Sequence, residues 1–171
     1  MKTSTPGETP PEKLQDTLQA ICGKIGPAAF TASSYRPGLV RHIVLFRFRS
    51  TATPQQRAEA TRRFLALQQE CRRNGSPYIL SIETGAQSSG EGIDGGFEQG
   101  FLVTFQSEGD RNYYVGKPVL TDADKDYYDH AHDAYKTWVR DLLLEDGKGA
   151  PALVFDFAIT ELTYLKAPPG T

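Results

Sequence analysis

The order of hydrophobic periodicities along this chain predicts an α+β fold of ferredoxin-like type, β-α-β-β-α-β, preceded by an N-terminal helical extension. Three observations carry that expectation. Residues 39–49, LVRHIVLFRFR, alternate with period two, placing Val40, His42, Val44, Phe46 and Phe48 on one face and Arg41, Ile43, Leu45, Arg47 and Arg49 on the other. Residues 50–75 then switch to a helical period, with Ala60, Phe64, Leu67 and Cys71 on one stripe. Two strand-like runs follow in succession, then a helical pattern and a last apolar strand. Helices on one face of an antiparallel sheet leave its other face bare, and that face calls for a partner sheet.

The elements follow in order. Residues 1–12 are rich in Pro, Thr and charge, and are expected to be mobile. From Pro11 a stripe of Leu14, Leu18, Ile21 and Ile25 predicts a helix, stopped by Gly26-Pro27, with a linker up to residue 38. The helix after the first strand has Thr53 as its cap, Pro54 at the first helical position and Gln56 completing a capping box; Arg72 and Arg73 suit its last turn and Gly75 its end. YILSIETG (78–85) predicts a strand, AQSSGEGIDGG (86–96) a loop, and FEQGFLVTF (97–105) a strand with Phe97, Gln99, Phe101, Val103 and Phe105 facing one way. SEGDRNYY predicts a short helix, residues 121–145 a long one, and PALVFDFAIT (151–160) the last strand. The expected organisation is an extension over 1–38, a domain over 39–160 and a tail over 161–171.

Composition narrows the function. Nineteen basic residues stand against twenty-one acidic ones, so no strongly basic face is implied and nucleic acid is not an expected partner. No run approaches the length of a membrane span, and the first residues have no apolar segment of a secretory signal. Cys22 and Cys71 make no disulfide framework and no metal-ligand spacing; buried thiols in a reducing, cytoplasmic setting are expected. The glycines of 85–96 lack the G-K-[ST] of a phosphate loop and precede a strand, which predicts a hairpin. Asp122, Asp124, Asp126 and Asp129 lack the glycine and terminal glutamate of a calcium loop, so no metal is expected.

The stretch YYDHAHDAYKTWV (127–139) carries the reactive side chains. At helical spacing His132 shares a face with Tyr128, Tyr135, Val139 and Leu142, while His130 points away with Ala134, Thr137 and Asp141. Asp156 sits between Phe155 and Phe157 and, as a carboxylate in an apolar strand, needs a partner. A backbone N–H, Arg41 and His132 are the alternatives.

VRHIVLFRF, EGIDGGFEQGFLVTFQSEGDRNYY and ALVFDF, over residues 39–159, closely resemble the stress-responsive dimeric A/B-barrel domain family. The resemblance implies a dimeric α/β barrel in which two protomers join their sheets, each keeping a cavity between sheet and helices. It implies a homodimer, a small-molecule substrate and chemistry without a cofactor, as in a plant polyketide cyclase of the family. Carried over residue by residue, it places the first-strand histidine at His42, the last-strand aspartate at Asp156, the tyrosine at Tyr114 and the helix histidine at His132. Leu120 stands at one position where a histidine is expected, and an insertion of about ten residues around TDADKDYYD restores the alignment at His132. Gln99 replaces another histidine. The expectation is an acid/base enzyme acting on an aromatic or polyketide-like molecule by cyclisation, aldol closure, elimination or isomerisation. Its catalytic set is His132, Asp156, Tyr114 and Tyr128, with His42, Phe46, Gln99, Phe101 and Trp138 lining the substrate. His132 is the base, oriented by Asp156, and a tyrosine the acid. A non-catalytic binding protein of the same fold and a cofactor-independent monooxygenase are the alternatives.

Overall fold

The computed structural model describes residues 13–145 and 150–160. The expectations for 1–12 and for the tail 161–171 fall outside these residues. The elements run α1 (Leu14–Ile25), α2 (Pro27–Phe30), β1 (Pro37–Phe46), α3 (Pro54–Glu70), β2 (Arg72–Arg73), β3 (Ser76–Pro77), β4 (Ser81–Ala86), β5 (Gln99–Ser107), α4 (Glu108–Val115), α5 (His130–Val139) and β6 (Ala152–Ala158), with 3₁₀ turns at Asp122–Tyr127 and Arg140–Leu142. The four-stranded sheet has the order β4-β5-β1-β6, antiparallel throughout, which is the ferredoxin-like arrangement. Among the described residues no helix is long and apolar enough to cross a membrane.

The alternation of β1 decides which side is core. Val40, His42, Val44 and Phe46 are buried toward the helices, and Ile43 and Leu45 are only half covered. α3 begins as the capping box demands: Thr53 accepts from the Gln56 amide at 3.2 Å and Gln56 accepts from the Thr53 amide at 2.9 Å. Its Phe64 lies flat on Phe101 of β5, with ring centroids 3.9 Å apart. Tyr135 meets the edge of Phe64 at 5.4 Å and closes the same layer from α5.

Four expectations about elements are corrected. The helix over 121–145 is broken: Tyr128 is extended (φ −142, ψ 161), and α5 starts afresh where the Asp129 carboxylate accepts the amides of Ala131 and His132 at 2.9 and 3.1 Å. A side-chain cap this strong starts a helix in place of continuing one. Arg72 and Arg73 are not the last turn of α3, because they pair with Pro77 and Ser76 in a small hairpin. Pro27 nucleates a further helical turn inside the supposed linker. Finally, β1 stops at Phe46, and Phe48 bridges to Leu143 instead.

The N-terminal extension docks on its own chain. Phe30 and Cys22 are buried with Leu120 and Tyr128, and Leu18 and Ile21 pack against them. The Asn112 side chain donates to the Phe30 carbonyl at 2.9 Å, and that of Gln19 to the Pro118 carbonyl at 3.0 Å. α2 approaches α4 so closely that only glycine fits at 109: a Cβ there would lie 1.8 Å from the Ala32 oxygen. A short amphipathic helix is marginal alone in water, and this docking surface supplies its stability.

Candidate active site

The register of β1 on β6 sets His42 directly opposite Asp156. Both side chains point to the helix side of the sheet, and His42 Nδ1 lies 2.6 Å from Asp156 Oδ1. Arg111, one turn before Tyr114 on α4, donates to the other oxygen at 2.5 Å. Burial alone would raise the Asp156 carboxyl, but the hydrogen bond from His42 and the charge and hydrogen bond of Arg111 prevail and hold it below the usual carboxylate range. An ionised Asp156 can only accept, so His42 Nδ1 carries a hydrogen and its Nε2 is the basic nitrogen. The His42 side chain is 4% exposed and stands edge-on to Tyr114, centroids 5.6 Å apart.

His132 opens the first turn of α5. Its Nδ1 is 2.6 Å from the Tyr114 carbonyl, which fixes the hydrogen on that nitrogen and leaves Nε2 as an acceptor. Its ring stacks on Tyr114 at 3.7 Å. Burial first, then the charge of Lys136, pushes His132 well below the ordinary histidine value, so the ring is neutral at neutral pH. Tyr114 thus separates two imidazoles, each with Nδ1 spent on a protein acceptor.

Both imidazoles border one cavity of about 420 Å³. Its walls are Val44 and Phe46 of β1, Ala152 and Val154 of β6, Phe64 of α3, and Tyr135 and Val139 of α5. Val115 at the end of α4 and Lys117 and Pro118 just after it close the cavity from that side. A largely apolar cavity with two convergent bases is the arrangement expected of a small-molecule site. In so dry a space a proton moved to His42 leaves an imidazolium that Asp156 neutralises, whereas among the described residues no carboxylate is bonded to the His132 ring.

Several expected site residues lie elsewhere. Asp156 does not orient His132, because the cross-strand register gives it to His42, and Arg41 hydrogen-bonds Thr104 instead. Tyr128 leaves the His132 face when the helix breaks, and is buried under α1 and α2. Tyr114 lies between the histidines, but burial raises its hydroxyl well above the ordinary phenol. That hydroxyl has no hydrogen-bond partner among the described residues. Phe101 is sealed in the core under Phe64 and does not reach the cavity. Gln99 turns to Thr84 at 2.7 Å on the neighbouring strand. Trp138 lies under the Arg63 guanidinium, 4.2 Å away, in a groove outside the cavity. His42, Phe46 and His132 do border the cavity, and His130 is exposed as its helical phase requires. Arg111 and Lys136 were missed, though both stand at helical spacing from an expected residue: Arg111 three before Tyr114, Lys136 four after His132.

A four-stranded antiparallel sheet of this order with helices packed on one face defines a ferredoxin-like α+β protein. The stress-responsive A/B-barrel domain model matches residues 40–158, and the chain belongs to that family. Among solved structures it is similar to a protein of Arabidopsis thaliana (20% identity, TM-score 0.55, covering 73% of this chain and 99% of that one). It is similar also to a hydroxynitrile lyase from Passiflora edulis (19%, 0.54, 75% and 99%). A dimeric ferredoxin-like protein of unknown function from Jannaschia gives 18% and 0.50, with 71% and 100% covered. At these identities the likeness is one of fold. No curated protein matches the chain.

Proposed function

We propose that this protein is a cofactor-free acid/base enzyme for a small aromatic or polyketide-like carbonyl compound, with His42 as its proton acceptor. The observation that carries the reading is the Arg111–Asp156–His42 array, which ends in a basic Nε2 at the apolar cavity. Asp156 fixes the tautomer and stabilises the imidazolium, and Arg111 keeps Asp156 ionised and in place. Nε2 of His42 takes a proton from a carbon next to the carbonyl, or from a hydroxyl, and the electron pair left behind moves onto oxygen or expels a leaving group. His132, neutral and acceptor-only at Nε2, receives a substrate hydroxyl and orients it. Cyclisation, aldol closure, isomerisation and cleavage of a hydroxynitrile all begin with such a step, and the lyase among the similar folds makes hydroxynitriles a reasonable first probe.

The protein works as a homodimer joined through the bare sheet face. Leu153, Phe155 and Phe157 of β6 are 39%, 58% and 43% exposed on that face, beside Leu45, Ile43 and Arg41 across the register. A contiguous apolar patch of this kind marks an interaction surface.

The test is α-proton exchange of acetophenone in deuterated buffer, followed by proton NMR, together with benzaldehyde release from mandelonitrile. Wild-type protein accelerates at least one of these above buffer. His42→Ala loses roughly 10²–10⁴-fold, the usual contribution of a positioned base, and Asp156→Asn nearly as much. Undiminished rates in His42→Ala, or no rate above buffer with wild type, would reject the assignment.

A further inference from the structure

Apart from the two imidazoles, every residue bordering the cavity is apolar, tyrosine or cationic. Lys117, Lys136 and Arg140 stand at its rim, and among the described residues no carboxylate borders it. The lysines are compensated from outside. Lys117 Nζ is 2.6 Å from Asp122 and 3.2 Å from Asp133. Lys136 Nζ donates to the carbonyls of Val115 and Lys117 at 3.0 and 3.4 Å, with Asp133 at 3.5 Å. Arg140 is exposed and has no acidic partner among the described residues. Lys136, already held below its ordinary value by burial, also feels Lys117 and Arg140 as like charges. Asp122 and Asp133 therefore pair both lysines, and the Arg140 guanidinium, which shares an outer groove with Asp141 and Glu145, is the rim cation without an ion pair among the described residues.

We propose that the cavity takes a monoanion with a flat apolar body and one carboxylate, the carboxylate seated on the Arg140 guanidinium. The planar fork of arginine matches a carboxylate with two parallel hydrogen bonds, which a lysine cannot offer. Along α5, Arg140 lies eight residues beyond His132, about 12 Å at the helical rise. The anion is thus anchored at the opposite end from the imidazoles, and the ligand spans one to two fused rings between them. Phe46, Val139 and Val154 form the walls along that path. A single uncompensated charge suits a carboxylate better than a phosphate dianion. This inference names the substrate class of the site proposed above and rests on that cavity being the binding site.

The experiment is calorimetric titration of the full chain with 2-naphthoate, its neutral isostere 2-naphthamide, and 2-naphthyl phosphate. Naphthoate is expected to bind about tenfold more tightly than naphthamide, as one charge-assisted contact gives. Arg140→Gln erases the preference while naphthamide affinity stays within about twofold. Equal affinities in wild type, a preference that survives Arg140→Gln, or no binding of either ligand at millimolar concentration overturns the proposal. Tighter binding of the phosphate overturns the carboxylate assignment. His42→Ala keeps the preference for naphthoate. If it does so while wild type shows no proton transfer, the acid/base reading fails and the anion site stands.

Discussion

Asp156 had three candidate partners on paper, and the pairing of β1 with β6 chose a fourth. Directly opposite residues on adjacent strands share a face at close range, so once His42 and Asp156 are in register their side chains meet. His132, on a helix above, meets the Tyr114 carbonyl instead. The two histidines consequently differ in charge behaviour. His132 is pushed below its unfolded value of 6.5 by burial, so from neutral pH downward the unfolded chain binds a proton that the native site refuses. Stability therefore falls as pH drops below about 6.5, with a slope of at most ~1.4 kcal/mol per pH unit from this one group. Asp156 acts lower down: its carboxyl is depressed, so its contribution is present above the usual carboxylate range and is lost only as pH falls through its native value. Urea unfolding at pH 7 and pH 5.5 separates the two. The His132→Phe variant, less stable at both, loses part of the decline between these pH values. An unchanged decline would mean that His132 is not the group resisting protonation.

Among the elements, the break between Tyr128 and Asp129 matters most for the site. It frees His132 to sit in a first turn beside α4, and it sends Tyr128 down to the N-terminal helices. Those helices in turn brace residues 116–120, which supply Lys117 and Pro118 to the cavity wall. Gly109 is the contact on which the docking of α2 depends, because any side chain there meets the Ala32 backbone. Gly109→Ala is expected to destabilise the protein by several kcal/mol, within the upper range for overpacking against rigid backbone. Limited proteolysis checks the location: α1 and α2 become cleavable in the variant well before the sheet does. Retention of wild-type resistance would show that the extension is held by other contacts.

For the molecule as a whole, the proposed homodimer rests on the exposed apolar stripe of the outer sheet face. Phe155 is 58% exposed at its centre, opposite Ile43 in the register. Sedimentation at micromolar concentration is expected to give twice the 18.9 kDa chain mass. Phe155→Glu is expected to shift it to a monomer, because in a twofold interface the charge is introduced on both sides and is buried unpaired. A monomeric wild type, or a variant that remains dimeric, would place the interface elsewhere.

The sequence determined the ferredoxin-like order, because strands with period two and a helix with period 3.6 are local patterns that burial of one face enforces. It determined the start of α3, where cap, proline and glutamine stand in a fixed local frame. The same helical phase separated buried His132 from exposed His130. Only the tertiary structure decided which groups meet across the chain. Asp156 finds His42, 114 residues away, through strand register, and Arg111 arrives from a helix that crosses behind them. The break at Tyr128 was likewise hidden, since four aspartates before a helical stripe read as one acidic N-terminus until Asp129 is seen capping two amides. Gln99, expected at the substrate from its strand face and the resemblance, and Trp138 face other surfaces, because spacing along one element fixes a direction and leaves open what lies in that direction.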